Sequence, residues 1–188
     1  MSLFADMLDY PQANLRDRVQ EAEALAGAAN AQAGQFVSEF RAFVEETPLG
    51  SLQEIYTGTF DLDAACHPYV GYHMFGETYK RSPFLVGLKE RYRAHNFAAP
   101  ANELPDHLAV VLRFLAVCDD EELSRELIDL GLRTCLEKMT GDVDPDALTE
   151  EGQEQPEINL GGLRVYKQVL RALQLVLQVQ PQSVEALP

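Results

Sequence analysis

The stretch GGLRVYKQVLRALQLVLQVQ, residues 161–180, places Leu163, Tyr166, Leu170, Leu173 and Leu177 at steps of 3, 4, 3 and 4. With about 3.6 residues per helical turn, that spacing lines one face of a helix with apolar side chains. The same period recurs upstream. Phe36, Phe40, Phe43 and Val44 form one stripe, and Leu85, Leu88 and Tyr92 a second. Leu108, Val111, Leu112 and Leu115 form a third, and Leu123, Leu127 and Leu130 follow. No run of four or more residues alternates apolar and polar side chains between turn residues, as a half-buried strand would. The sequence therefore reads as an all-α fold of about eight helices packed in one globule.

The breaks between stripes are marked by proline. Pro48, Pro83 and Pro145 fall where a first helical turn tolerates the missing N–H, and Ser82 and Asp144 stand before two of them as expected N-caps. Pro11 separates a short first helix from a second. Residues 61–68, DLDAACHP, read as a loop. Residues 141–157, GDVDPDALTEEGQEQPE, carry seven acids and no base. Too little apolar surface is present there to offset the entropy of ordering, so the expectation is a mobile acidic linker with one short turn at 145–148. The last helix would then dock back as a separate element. The domain reading is one helical domain over 1–188, with that linker inside it.

The chain has 188 residues, 46% of them hydrophobic, enough to bury a core without cross-links. Cys66, Cys118 and Cys135 show no metal or redox spacing and read as free thiols of a reducing compartment, so the expected location is the cytoplasm. The first residues, MSLFADMLDYPQANLRDRV, lack the cationic start and apolar core of a signal peptide. No apolar run approaches the roughly 20 residues that span a bilayer, so no direct membrane insertion is expected. The net charge is −15, from 30 acids and 15 bases. A nucleic-acid binder needs a basic footprint, so that class is set aside, and cationic or neutral partners are favoured.

Among chemistry-bearing patterns, the chain has no glycine-rich phosphate loop, no CxxC pair and no HExxH. It does have a short corner, Glu103-Leu104-Pro105-Asp106-His107, between helical patterns. One reading is structural. Asn102 or Leu104 caps a helix, Pro105 sits in its first turn, and Glu103 and Asp106 are acids favoured by the helix dipole. The other is functional, a proline-stiffened corner that presents Asp106 and His107 to a partner. An acid–base pair at Asp106 and His107 is the enzymatic variant, but no nucleophile or oxyanion donor stands near it in sequence. No catalytic residue is assigned.

Cys66, His67, His73, His95 and His107 lack the paired spacing of a zinc site, so no metal and no cofactor is expected. The aromatic set Tyr56, Phe60, Tyr69, Tyr72, Phe75, Tyr79 and Tyr92 suits either core packing or a groove that holds a peptide. Gly58, Gly71 and Gly76 among them point to turns or close helix approach. Arg81, Lys89, Arg91 and Arg93 read as a solvated helix face with ion pairs along the helix.

Three of these segments, in this order, carry a resemblance: LQEIY at 52–56 with Phe60 and Asp61, YHMFGE at 72–77, and NELPDHL at 102–108. Over about 49–139 the chain resembles the nitrate reductase molybdenum cofactor assembly chaperones, the NarJ or delta-subunit group of the TorD-like superfamily. The resemblance implies an all-helical cytoplasmic chaperone. It would bind the N-terminal segment of an apo molybdenum-containing catalytic subunit, hold it back from the membrane until its cofactor is in place, and bind no cofactor tightly itself. Carried over by motif, Glu103, Pro105, Asp106 and His107 are the partner-recognition residues, with Tyr72 and His73 second. A monomer is the expected state, a dimer the alternative. The rivals from other classes are a small helical enzyme or nucleotide-binding protein using Asp106 and His107, and a structural subunit of a finished redox complex.

Overall fold

The computed structural model describes residues 1–61, 66–141 and 160–178. Among these residues the chain is all-helical, with ten α-helices and no named strand. α1 (Ser2–Met7) is the short helix expected before Pro11, whereas α5 (Val70–Phe75), six residues long, is too short to repeat a stripe. None of the described helices is long and apolar enough to cross a membrane.

The framework is a hairpin of α2 (Leu15–Ala29) and α3 (Ala31–Glu46), joined by a single residue, Asn30. Asn30 is extended, which stops α2, and its side chain accepts hydrogen bonds from the Gln32 and Ala33 N–H groups at 2.9 and 3.1 Å, which starts α3. The two helices nearly touch at Gly27 and Gly34. A Cβ on Gly34 would lie 2.7 Å from the Gly27 Cα.

The last described helix, α10 (Leu160–Gln178), packs on α3. All five stripe residues, Leu163, Tyr166, Leu170, Leu173 and Leu177, are buried. Tyr166 stands against the rings of Phe60, Phe40 and Tyr56, with centroids 4.9, 5.4 and 5.9 Å away. α4 (Leu49–Tyr56) follows Pro48 and runs on into a π-helical turn, Thr57–Asp61. That turn approaches α10 at Gly162, where a Cβ would overlap the Ile55 side chain. α10 is thus part of the main core. The acidic linker expected at 141–157, with Asp144 and Pro145, lies outside the described residues apart from Gly141.

α7 (Leu108–Leu115) is apolar on nearly every side. Leu108, Ala109, Val111 and Leu112 face the main core, while Val110 and Phe114 belong to a second, smaller cluster with Leu88, Tyr92, Leu123 and Leu127. Leu88 and Tyr92 come from α6 (Arg81–Ala94), Leu123 from α8 (Glu121–Glu126). α7 is tied to α1 through Arg113, which donates to Asp9 at 2.7 Å and Asp6 at 3.3 Å. Asp6 also accepts from Arg18 of α2 at 2.8 Å.

Two local expectations are corrected. Ser82 is not an N-cap, because α6 already starts at Arg81; Pro83 does lie in the first turn. Leu130 is 63% exposed and leaves the stripe begun by Leu123 and Leu127. The reason is the π-helical segment Leu127–Leu132 that joins α8 to α9 (Arg133–Thr140). A π turn takes in one more residue than an α turn. The inward face therefore passes to Ile128, Gly131 and Leu132.

Candidate functional site

The 103–107 corner is tied to both α5 and α6. The His107 N–H donates to the Leu104 carbonyl at 3.1 Å and closes the turn around Pro105. The corner then pairs with the start of α5. The Val70 N–H donates to the Asp106 carbonyl at 2.9 Å, and the Leu108 N–H to the Pro68 carbonyl at 2.7 Å, an antiparallel bridge centred on Tyr69 and His107. From α6, the Tyr92 hydroxyl donates to the Pro105 carbonyl at 2.7 Å.

Asp106 is fully buried. Its Oδ2 accepts from Arg81 Nε at 2.9 Å and from the Gly71 N–H at 3.1 Å, and its Oδ1 accepts from Arg81 Nη2 at 3.1 Å. A carboxylate without water requires such a set, a two-pronged cation and a backbone donor. Gly71 is required for the approach, because a Cβ there would lie 2.7 Å from Asp106 Oδ2 and 2.9 Å from Phe84 Cδ1. The Arg81 guanidinium also lies 5.2 Å from the centre of the Tyr69 ring. The Tyr69 hydroxyl donates to Glu103 at 3.2 Å. Burial and then the Glu103 charge push its phenol up to about 12.

His107 is the N-cap of α7. Its Nδ1 accepts from the Ala109 N–H at 3.2 Å, which places the ring proton on Nε2. Burial holds the imidazole below its ordinary pKa, against the pull of Glu103, Asp9 and Asp106 and with the help of Arg113. The helix therefore begins later than expected. Neither Asn102 nor Leu104 is the cap, and Pro105 precedes the first turn. The dipole explanation of Asp106 gives way to an ion pair with Arg81.

Asp106 and His107 form the inside of the corner, both buried. The acid–base reading fails for the same reason. The Asp106 carboxylate is held by Arg81 and Gly71, and His107 Nδ1 is committed to the helix start. What the corner shows outward is Leu104, 42% exposed, with Glu103 half-buried beside it.

Tyr72 and His73 lie on α5 next to Gly71 but engage a different neighbour. His73 is buried, and its Nε2 donates to the His67 carbonyl at 2.7 Å. Burial lowers its pKa. Tyr72 is half-buried, its ring edge-on to His67 at 5.0 Å. α5 thus links two groups, the corner through Val70 and Gly71, and the 66–67 segment through Tyr72 and His73.

Of the aromatic set, Tyr56, Phe60 and Tyr92 are core, Tyr69, Tyr72 and Phe75 are half-buried, and Tyr79 is 83% exposed. The basic cluster does not pair along its own helix. Arg81 pairs with Asp106, and Arg91 reaches Glu126 of α8 at 2.9 Å. Arg81 and Gly71 are the site residues that the sequence left unassigned. The available signal was chemical: an acid among apolar residues needs a cation, and Arg81 heads a helix.

Residues 26–140 match the family described as Nitrate reductase delta subunit. The chain belongs to this family. The corner, α5 and α6 all fall within the matched residues. The chain is 34% identical over 116 residues to "Nitrate reductase-like protein NarX" of Mycobacterium tuberculosis, a match covering 61% of this chain and 17% of that protein. It is 31% identical over 129 residues to "Nitrate reductase molybdenum cofactor assembly chaperone NarJ" of Escherichia coli K12, covering 66% of this chain and 54% of the relative. A probable NarJ of Bacillus subtilis is 37% identical over 71 residues, 38% of this chain and 39% of its own length. The chain thus spans about half of the Escherichia coli NarJ, and a small part of NarX.

Proposed function

We propose that this chain is a molybdenum cofactor assembly chaperone, not an enzyme, and that it acts as a cytoplasmic monomer. It binds the apo catalytic subunit of a molybdenum oxidoreductase, with a respiratory nitrate reductase as the first choice, through that subunit's N-terminal segment. The observation that carries this reading is membership of the delta-subunit family across the residues that build the corner. The names of the NarJ relatives supply the activity. A chain of net charge −15 also suits a partner segment that carries cations.

In this proposal the recognition residues divide by position. Glu103, Leu104 and Tyr72 meet the partner at the surface. Pro105, Asp106, His107 and His73 hold that surface in shape from beneath. The test is calorimetry of the full chain against a synthetic peptide with the N-terminal sequence of a nitrate reductase catalytic subunit. The expected result is saturable binding with a negative heat-capacity change, as apolar burial requires. Leu104→Ala and Glu103→Gln should weaken it while leaving the melting curve in place. No binding at about 100 μM, a threshold near −5 kcal/mol, would reject the reading.

A second reading has one observation in its favour. In NarX the matched stretch is 17% of a longer protein, so a unit of this kind there shares a chain with other parts. A subunit retained in the finished complex would co-purify with the active, cofactor-loaded enzyme, whereas a chaperone would be found on the apo form alone.

A further inference from the structure

α6 is attached to the molecule differently from α3 and α10. Only Leu88 and Tyr92 of its fourteen residues are buried, and both belong to the smaller cluster. α10, by contrast, buries Leu163, Tyr166, Val169, Leu170, Ala172, Leu173 and Leu177 in the main core. Left-handed backbone flanks α6 on both sides. Gly76 before it has φ +63° and Asn96 after it has φ +53°. At Asn96 the helix closes on itself. The Phe97 N–H donates to the Tyr92 carbonyl at 2.8 Å and the Asn96 N–H to the Arg93 carbonyl at 3.2 Å, while the Phe97 ring packs on Tyr92 at 5.1 Å. α6 is therefore finished as a unit within its own residues.

Three polar ties hold the helix itself down, Arg81 on Asp106, the Tyr92 hydroxyl on the Pro105 carbonyl, and Arg91 on Glu126, and its C-cap His95 adds a contact to Asp119 at 3.4 Å. Two of the three end on the 103–107 corner. Beneath α6 lie Val110 and Phe114, the outer side of α7, and exposed Leu104 and Val117 flank that helix in sequence at 42% and 65%.

The geometry points to α6 as a latched cover, which opens as a unit on Gly76 and Asn96 while the main core stays closed, with the corner as its latch. The release uncovers the Val110–Phe114 side of α7, an apolar helix face. With only two side chains buried, α6 has few apolar contacts to give up on opening, which is what gives a segment its own opening equilibrium. A group that engages the corner thereby gains a handle on α6. The inference rests on packing alone and holds whether or not a chaperone client is the group concerned.

The test is native-state amide exchange on the full chain in rising sub-denaturing urea. Amides of α6 should exchange through an opening smaller than global unfolding, at least about tenfold faster than those of α3 and α10. A Tyr92→Phe, Arg91→Gln variant loses two ties but keeps the ring in the cluster. It should speed α6 by about a further tenfold and leave α3 and α10 unchanged. The proposal is overturned if wild-type α6 exchanges together with α3 and α10 at the same urea dependence. It is equally overturned if the variant accelerates all three helices alike.

Discussion

Arg81 and Asp106 form an unequal pair. The carboxylate has no exposure, whereas the arginine side chain keeps 21% of its surface in water. Removing either partner therefore leaves a different residue behind. Arg81→Ala strands a buried carboxylate and should cost roughly 3–5 kcal/mol. Asp106→Ala leaves a guanidinium that can turn to solvent and should cost less, about 1–3 kcal/mol. Urea unfolding of both variants measures the order. Equal losses, or a larger loss for Asp106→Ala, would mean that the pair is not buried as described. Neither variant is mild, so lost partner binding in Asp106→Ala has to be compared at equal folded fraction.

Gly71→Ala attacks the same pair from the backbone. The added methyl would sit 2.7 Å from the Asp106 carboxylate and 2.9 Å from Phe84. Overpacking of this kind should lower stability by about 1–3 kcal/mol. Gly50→Ala is the control. A Cβ there meets nothing within 4 Å inside α4, and the change should stabilise by roughly 0.5–1 kcal/mol. Opposite shifts of the two urea midpoints are the expected result.

A pairwise rescue is available where α10 meets α4. Gly162→Ala alone should be strongly destabilising, because its methyl overlaps Ile55. Ile55→Ala alone loses packing. The double variant should be more stable than the sum of the two losses predicts, by about 0.5–3 kcal/mol of coupling. Simple additivity would show that α10 shifts to accommodate the methyl.

His107 sets a pH dependence of folding. Its folded pKa lies below the ordinary value of 6.5, as does that of His73, so the unfolded chain takes up the proton first as pH falls. The stability that neutral His107 contributes is present above about pH 6.5 and is lost as pH drops below it. His107→Asn keeps a side-chain acceptor for the Ala109 N–H but cannot titrate. Between about pH 7.5 and 5.5 the variant should lose less stability than the wild type. A parallel loss in both would assign the effect to His73 or to the acidic surface.

The helical class was legible because periodicity is local. Leu163 to Leu177 kept one face within a nineteen-residue α-helix, and all five positions are buried as read. Leu130 was misplaced because a π segment is a change of pitch, and nothing in the apolar pattern of 123–130 announces one. The corner was found, but its inside and outside were exchanged. Asp106 before an apolar run looks like a helix-dipole acid until its partner is known, and Arg81 lies 25 residues away, across a helix and a loop. The cap on α7 was missed because histidine is not among the usual capping residues, and its Nδ1 serves only while the ring is neutral.

The packing of α10 on α3 also fixes an order of events at the ribosome. The α2–α3 hairpin is local and free to form early. Its partner helix begins at Leu160, more than a hundred residues downstream of Glu46. At about 5–20 residues per second that interval is on the order of ten seconds. Through it the Phe40 side of α3 waits uncovered on the nascent chain. A transcript cut before α10 would yield a hairpin with an open apolar flank, a substrate for proteolysis and aggregation.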